Sequence, residues 1–133
     1  MKVLIINGSP RKDGNTTVAV KEVEKVLNDN GIDTEIIGIG GENIRGCVAC
    51  GYCFNHGKCA FSDKVNEVAE KFEKADGLII APPVYFASAN GTVVSFLDRL
   101  FYSSHFDKTM KVGASVAVCR RGGASATFDE LNK

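Results

Sequence analysis

The sequence predicts a doubly wound α/β fold, a parallel sheet in the order 2-1-3-4 with helices on both faces. Three observations carry that prediction. Four short runs are apolar and rich in β-branched residues: VLII at 3–6, DTEIIGI at 33–39, GLIIA at 77–81 and VGASVAV at 112–118. Such runs suit strands buried on both faces. Between them lie stretches with apolar residues at helical spacing. The loops after strands one, three and four are rich in Gly, Pro, Ser, Asn and Thr, and ligands of such sheets bind at those strand ends.

Each element follows from its residues. Asn15 is placed as N-cap of the first helix, with Val18, Val20, Val23, Val26 and Leu27 as its apolar stripe and Gly31 as its stop. The second strand leads to a segment holding four cysteines. Ser62 or Asp63 caps the next helix, which carries Val65, Val68, Ala69 and Phe72. Pro82 and Pro83 stop the third strand. A third helix covers about residues 93–103 with Val94, Phe96, Leu97 and Leu100, and ATFDELNK opens a fourth. Residues 1–133 read as one domain. It ends in a helix with no fifth strand, which predicts that further chain or a partner covers the fourth strand's edge, Phe128 and Leu131.

Composition narrows the function. Sixteen basic and sixteen acidic residues give zero formal charge, which argues against a nucleic-acid binder. No run is long and apolar enough to span a membrane, and MKVLIING reads as a strand rather than a signal peptide. A cytoplasmic location is expected, where clustered cysteines serve as metal ligands or redox groups rather than structural disulfides.

Two stretches carry chemistry. NGSPRKDGNTT at 7–17 is neither a Walker loop nor a G-x-G-x-x-G loop. It sets small polar residues at a helix N-terminus, where free amides and the helix dipole favour a phosphate. Ser9, Asn15, Thr16 and Thr17 add side-chain donors and Arg11 a charge. Cys47, Cys50, Cys53 and Cys59 follow C-x2-C-x2-C-x5-C. From spacing alone they suit an iron–sulfur cluster, a zinc ion or a thiol–disulfide relay. Cys119 reads as a buried, inert thiol. His56 and His105 are the two histidines and neither lies in the loops after strands one, three and four, so no acid–base catalyst is predicted.

GSPRKDGNTT after the first strand, PPVYFASANGTVVSFLDR after the third and RRGG after the fourth together resemble the flavodoxin-like NAD(P)H-dependent FMN reductases. The cysteine block is similar to that of their iron–sulfur flavoprotein branch. The resemblance spans nearly the whole chain. It implies that Ser9, Arg11, Asn15, Thr16 and Thr17 surround the FMN phosphate. It places Pro83, Val84, Tyr85 and Phe86 beside the flavin ring, approached by Arg121, Gly122 and Gly123. It further implies a [4Fe–4S] cluster on the four cysteines, NAD(P)H as donor, a small-molecule or protein electron acceptor, and a homodimer or homotetramer. Two rivals remain: a cluster-free quinone or nitro-compound reductase, and a flavodoxin-like carrier, against which the zero net charge leans.

Overall fold

The computed structural model describes residues 1–132. Its main sheet contains β1 (Lys2–Asn7), β2 (Asp33–Gly38), β3 (Gly77–Ala81) and β6 (Val112–Ser115), all parallel in the order β2-β1-β3-β6. This is the predicted order. A second sheet is a two-stranded antiparallel hairpin of β4 (Val84–Tyr85) and β5 (Ser88–Ala89). The helices are α1 (Asn15–Asp29), α2 (Tyr52–His56), α3 (Lys64–Lys74), α4 (Gly91–Ser103) and α5 (Ala124–Leu131).

The alternation of the central strands sorts two cores. Leu4, Ile6, Leu78 and Ile80 point to one face and meet Val65, Val68 and Phe72 of α3 and Val93, Phe96 and Leu100 of α4. Val3, Ile5, Ile79 and Ala81 point to the other and meet Val20, Val23 and Leu27 of α1. Burial of these side chains is the main stabilising contribution, on the order of 2 kcal/mol for each large one. Asp63 caps α3, its carboxylate accepting from the Val65 amide at 3.1 Å.

Several local expectations are corrected. Val18 and Val26 of α1 are exposed, because only positions in step with Val20 at 100° per residue reach the sheet. Gly14, not Asn15, is the N-cap of α1. The fourth sheet strand stops at Ser115; beyond it the Val116 amide still donates to Ile80 O at 2.9 Å and a Pro83–Val118 bridge continues the pairing. Leu131 is partly buried against the larger core rather than free. The last residue of ATFDELNK, Lys133, lies outside the described residues. As expected, β6 has an open edge, and Val112, Gly113 and Ala114 are exposed. No helix among the described residues is long and apolar enough to cross a membrane.

Candidate functional site

Three loops leave the carboxyl ends of β1, β3 and β6 and are tied to one another. The Gly8 amide donates to Ala81 O at 2.9 Å, Asn90 Nδ2 donates to Gly8 O at 3.1 Å, and the Val84 amide donates to Val118 O at 2.9 Å. Between them lies an open cleft of about 470 Å³, lined by Ser9, Arg11, Gly14, Asn15 and Thr16 on one side and Pro83, Val84, Tyr85, Val118, Cys119 and Arg120 on the other. That volume lies in the roughly 300–1,000 Å³ range of small-molecule and cofactor sites.

The first side of the cleft is polar and built from its own residues. The Ser9 amide donates to Asn7 Oδ1 at 3.0 Å, and the Arg11 amide donates to Ser9 Oγ at 3.2 Å. Gly40 lets a neighbouring loop pass close beneath, since a Cβ there would lie 2.2 Å from the Ser9 carbonyl carbon. No side chain of the N-cap residue closes the α1 N-terminus. Its first amides and dipole therefore face the cleft, an arrangement that attracts an anion.

The second side is the hairpin. Phe86 (φ 51°) and Ala87 (φ 63°) form its two-residue turn, a left-handed conformation that costs non-glycine residues of order 1–3 kcal/mol each. α5 offsets that strain. Glu130 accepts from Ser88 Oγ at 2.9 Å and from the Ala89 amide at 2.9 Å. Gly123, with φ 97°, packs so tightly on the turn that a Cβ there would lie 2.6 Å from Ala87 Cα.

Seven of the predicted ligand residues thus meet in one cleft: Ser9, Arg11, Asn15, Thr16, Pro83, Val84 and Tyr85. Thr17 is a brace instead, its Oγ1 accepting from Asn7 Nδ2 at 3.0 Å and donating to Arg11 O at 3.2 Å. Phe86 stands fully exposed at the hairpin tip, and Arg121 and Gly122 are exposed beside the cleft lining. Sequence reasoning missed Gly14, Val118 and Arg120. It also read Cys119 as buried, whereas that residue is half-buried and lines the cleft.

The cysteine segment lies elsewhere on the same strand-end side, after β2. Cys47, Cys50, Cys53 and Cys59 border one small pocket of about 20 Å³ together with Arg99, Tyr102 and Ser103 of α4. Cys47 and Cys50 are exposed, Cys53 is buried and Cys59 half-buried. No three of the described His, Cys, Asp and Glu side chains converge on a single ion. Cys59 is the most firmly held. Its amide donates to Asn66 Oδ1 at 2.9 Å and its carbonyl accepts from Asn66 Nδ2 at 3.0 Å. Its Sγ accepts from Arg99 Nε at 3.3 Å and Nη2 at 3.2 Å. Arg99 also binds Asp63, Nη1 to Oδ2 at 2.6 Å and Nη2 to Oδ1 at 2.9 Å. Burial works against the Arg99 charge, but the bonds to Asp63 and Cys59 outweigh it and hold the guanidinium's pKa above its usual value.

Comparison with known proteins places these features. The family described as NADPH-dependent FMN reductase matches residues 1–132. An iron–sulfur flavoprotein of Methanocaldococcus jannaschii is 37% identical over 135 residues, covering 99% of this chain and 70% of that protein. One from Methanosarcina thermophila is 33% identical over 136 residues, covering 99% and 71%. Among solved structures, RosB with a bound 8-demethyl-8-formylriboflavin-5'-phosphate intermediate superposes with a TM-score of 0.80 at 20% identity. The apo NADH:FMN oxidoreductase EMOB superposes with a TM-score of 0.68 at 23% identity. The chain is covered to 99% in both, and spans 57% of the first and 65% of the second.

Proposed function

The chain belongs to the NADPH-dependent FMN reductase family, in its iron–sulfur flavoprotein branch, and from that premise we propose that it is an FMN-dependent oxidoreductase taking electrons from NAD(P)H. The observation that carries this reading is the cleft itself, an α1 N-terminus with Ser9 and Arg11 facing the flat wall of Pro83, Val84 and Tyr85. FMN, when bound, supplies the chemistry of taking a hydride's two electrons and releasing them singly, while the protein supplies position and electrostatics. Ser9, Asn15, Thr16 and the amides at the start of α1 hold the phosphate, and Arg11 balances its charge. Val84 and Tyr85 present apolar surface to the ring, and Glu130 keeps that surface still by fixing β5.

The four cysteines hold a [4Fe–4S] cluster in this reading. An all-thiolate set in overlapping C-x2-C turns is the soft donor set such clusters take. Ser103, whose Oγ is a buried hydroxyl with no partner, also borders that pocket. The cluster would supply one-electron chemistry to a small-molecule or protein acceptor. The location is cytoplasmic, and the chain associates into a homodimer or homotetramer unless further chain covers the β6 edge. Light scattering showing a stable, soluble monomer of these 133 residues would contradict both versions.

Two measurements test the core of the proposal. FMN should bind more tightly than riboflavin, and equal affinity would remove the phosphate assignment. Protein purified without oxygen should contain about four iron and four acid-labile sulfide per chain. Stoichiometric zinc without sulfide would make the cysteine site structural.

A further inference from the structure

Arg99 is a charged residue in an apolar stripe. It sits on α4 between Phe96 and Leu100, both fully buried, and is itself 1% exposed. A buried charge is kept only where it is paired and hydrogen-bonded. Asp63 and the Arg45 carbonyl, accepting from Nη1 at 3.3 Å, take one edge of the guanidinium. The other edge, Nε and Nη2, gives both donors to a single sulfur, Cys59 Sγ.

One turn further along α4, Ser103 is 3% exposed and borders the same pocket. Its Oγ has no partner. The adjacent Ser104 shows what a buried serine on this helix does without other company, since its Oγ donates to Leu100 O at 2.6 Å. Ser103 Oγ makes no such bond to the carbonyl one turn back. A buried hydroxyl without a partner is destabilising, so its position favours a role as donor to something held in the pocket.

We infer that Arg99 and Ser103 are the hydrogen-bond donors of α4 to a cluster in this pocket, Arg99 through Cys59 Sγ and Ser103 through its free hydroxyl, and that together they set its reduction potential. This rests on the reading of the four cysteines as cluster ligands. One-electron uptake adds a negative charge to a partly buried group, and a fixed cation and an O–H donor favour that more negative state. Removing either donor makes the potential more negative. Arg99 is thus a positioning residue: it fixes the ligand that lies farthest along the chain, across the x5 gap.

The experiment is a mediated redox titration, followed by electron paramagnetic resonance, of the full chain purified without oxygen. It compares the wild type with Arg99→Gln, Arg99→Lys and Ser103→Ala. Iron, sulfide and bound FMN are measured on each. Arg99→Gln should give the largest negative shift. Arg99→Lys, which keeps the charge but not the two-pronged fork, should fall between it and the wild type. Ser103→Ala should shift least, with iron and sulfide unchanged. Wild-type potentials in Arg99→Gln and Ser103→Ala would overturn the inference. Should the Arg99 variants not fold, Ser103→Ala decides alone, because its hydroxyl supports nothing else in the protein. An unshifted potential there overturns the two-donor arrangement. Failure of the cluster reading looks different: the wild type itself then lacks sulfide, and both ideas fall together.

Discussion

The loop after β1 and the cysteine segment after β2 are fixed in opposite ways. Apart from the bonds at Gly8, the first loop is braced by side chains of its own neighbours. Ser9 bonds to Asn7 and Arg11, Thr17 bonds to Arg11, and every one of these contacts spans ten residues or fewer. The cysteine segment adds long-range bonds to its local pair between Cys59 and Asn66. Cys59 is reached by Arg99 across 40 residues, Cys53 donates to Tyr102 O across 49, and Arg45 O accepts from Arg99 across 54. A locally braced loop keeps its shape whenever its strand and helix form. A loop braced through α4 depends on the packing of the whole face that carries α3 and α4.

The sharpest way to break this contrast is to remove the distant brace. Arg99→Ala leaves the Asp63 carboxylate without its partner and should lower unfolding free energy by about 3 kcal/mol, the low end for breaking a buried pair because Asp63 keeps some solvent contact. Urea unfolding measures it, and a loss under about 1 kcal/mol would show that the segment is braced elsewhere. In the first loop the expected effect moves from stability to binding. Arg11→Ala should weaken FMN by about 1–3 kcal/mol in a fluorescence titration, while stability stays within about 0.5 kcal/mol because the side chain is exposed. Thr17→Val tests the local brace and should cost about 1 kcal/mol of stability. Full stability in that variant would mean that the loop holds without its internal bonds. Glu35 lies outside both regions and serves as the reference. Bonds from Lys2 and Lys71 hold its carboxyl below the usual 4.5. Its contribution is therefore present above that pH and lost as pH falls through the lowered value. Glu35→Gln should cost under about 1 kcal/mol at neutral pH and flatten that part of the acid unfolding curve.

The sheet was legible because VLII and GLIIA leave little choice: such runs are wanted only where both faces are covered. The first loop was legible for a related reason, since its form depends on residues within reach of one another in the sequence. The hairpin was not. Its turn uses Phe86 and Ala87 where glycine or asparagine gives the usual signal, and two-residue strands carry no periodicity. α2 is five residues long and hidden among cysteines. Arg99 was missed because a charge beside Asp98 inside an amphipathic helix reads as part of its solvated face. The signal was present all the same. Val93, Phe96, Leu100 and Ser103 mark one face, and Arg99 falls at its border, three residues from Phe96 and four from Ser103, where a buried charge must be paired.

α4 begins at one site and ends at the other. Its N-cap, Asn90, donates to Gly8 O in the first loop, and Arg99 reaches Cys59. Nine residues of helix separate them, about 14 Å along the axis. The helix is in effect a ruler between the cleft and the cysteine segment, and its length is written in residue count rather than in any contact at either end. Substitutions at the ends can retune each site but cannot change the spacing. A single residue inserted between Asn90 and Arg99 would do more, turning the guanidinium by about 100° and carrying it away from the sulfur while the first loop kept its hold.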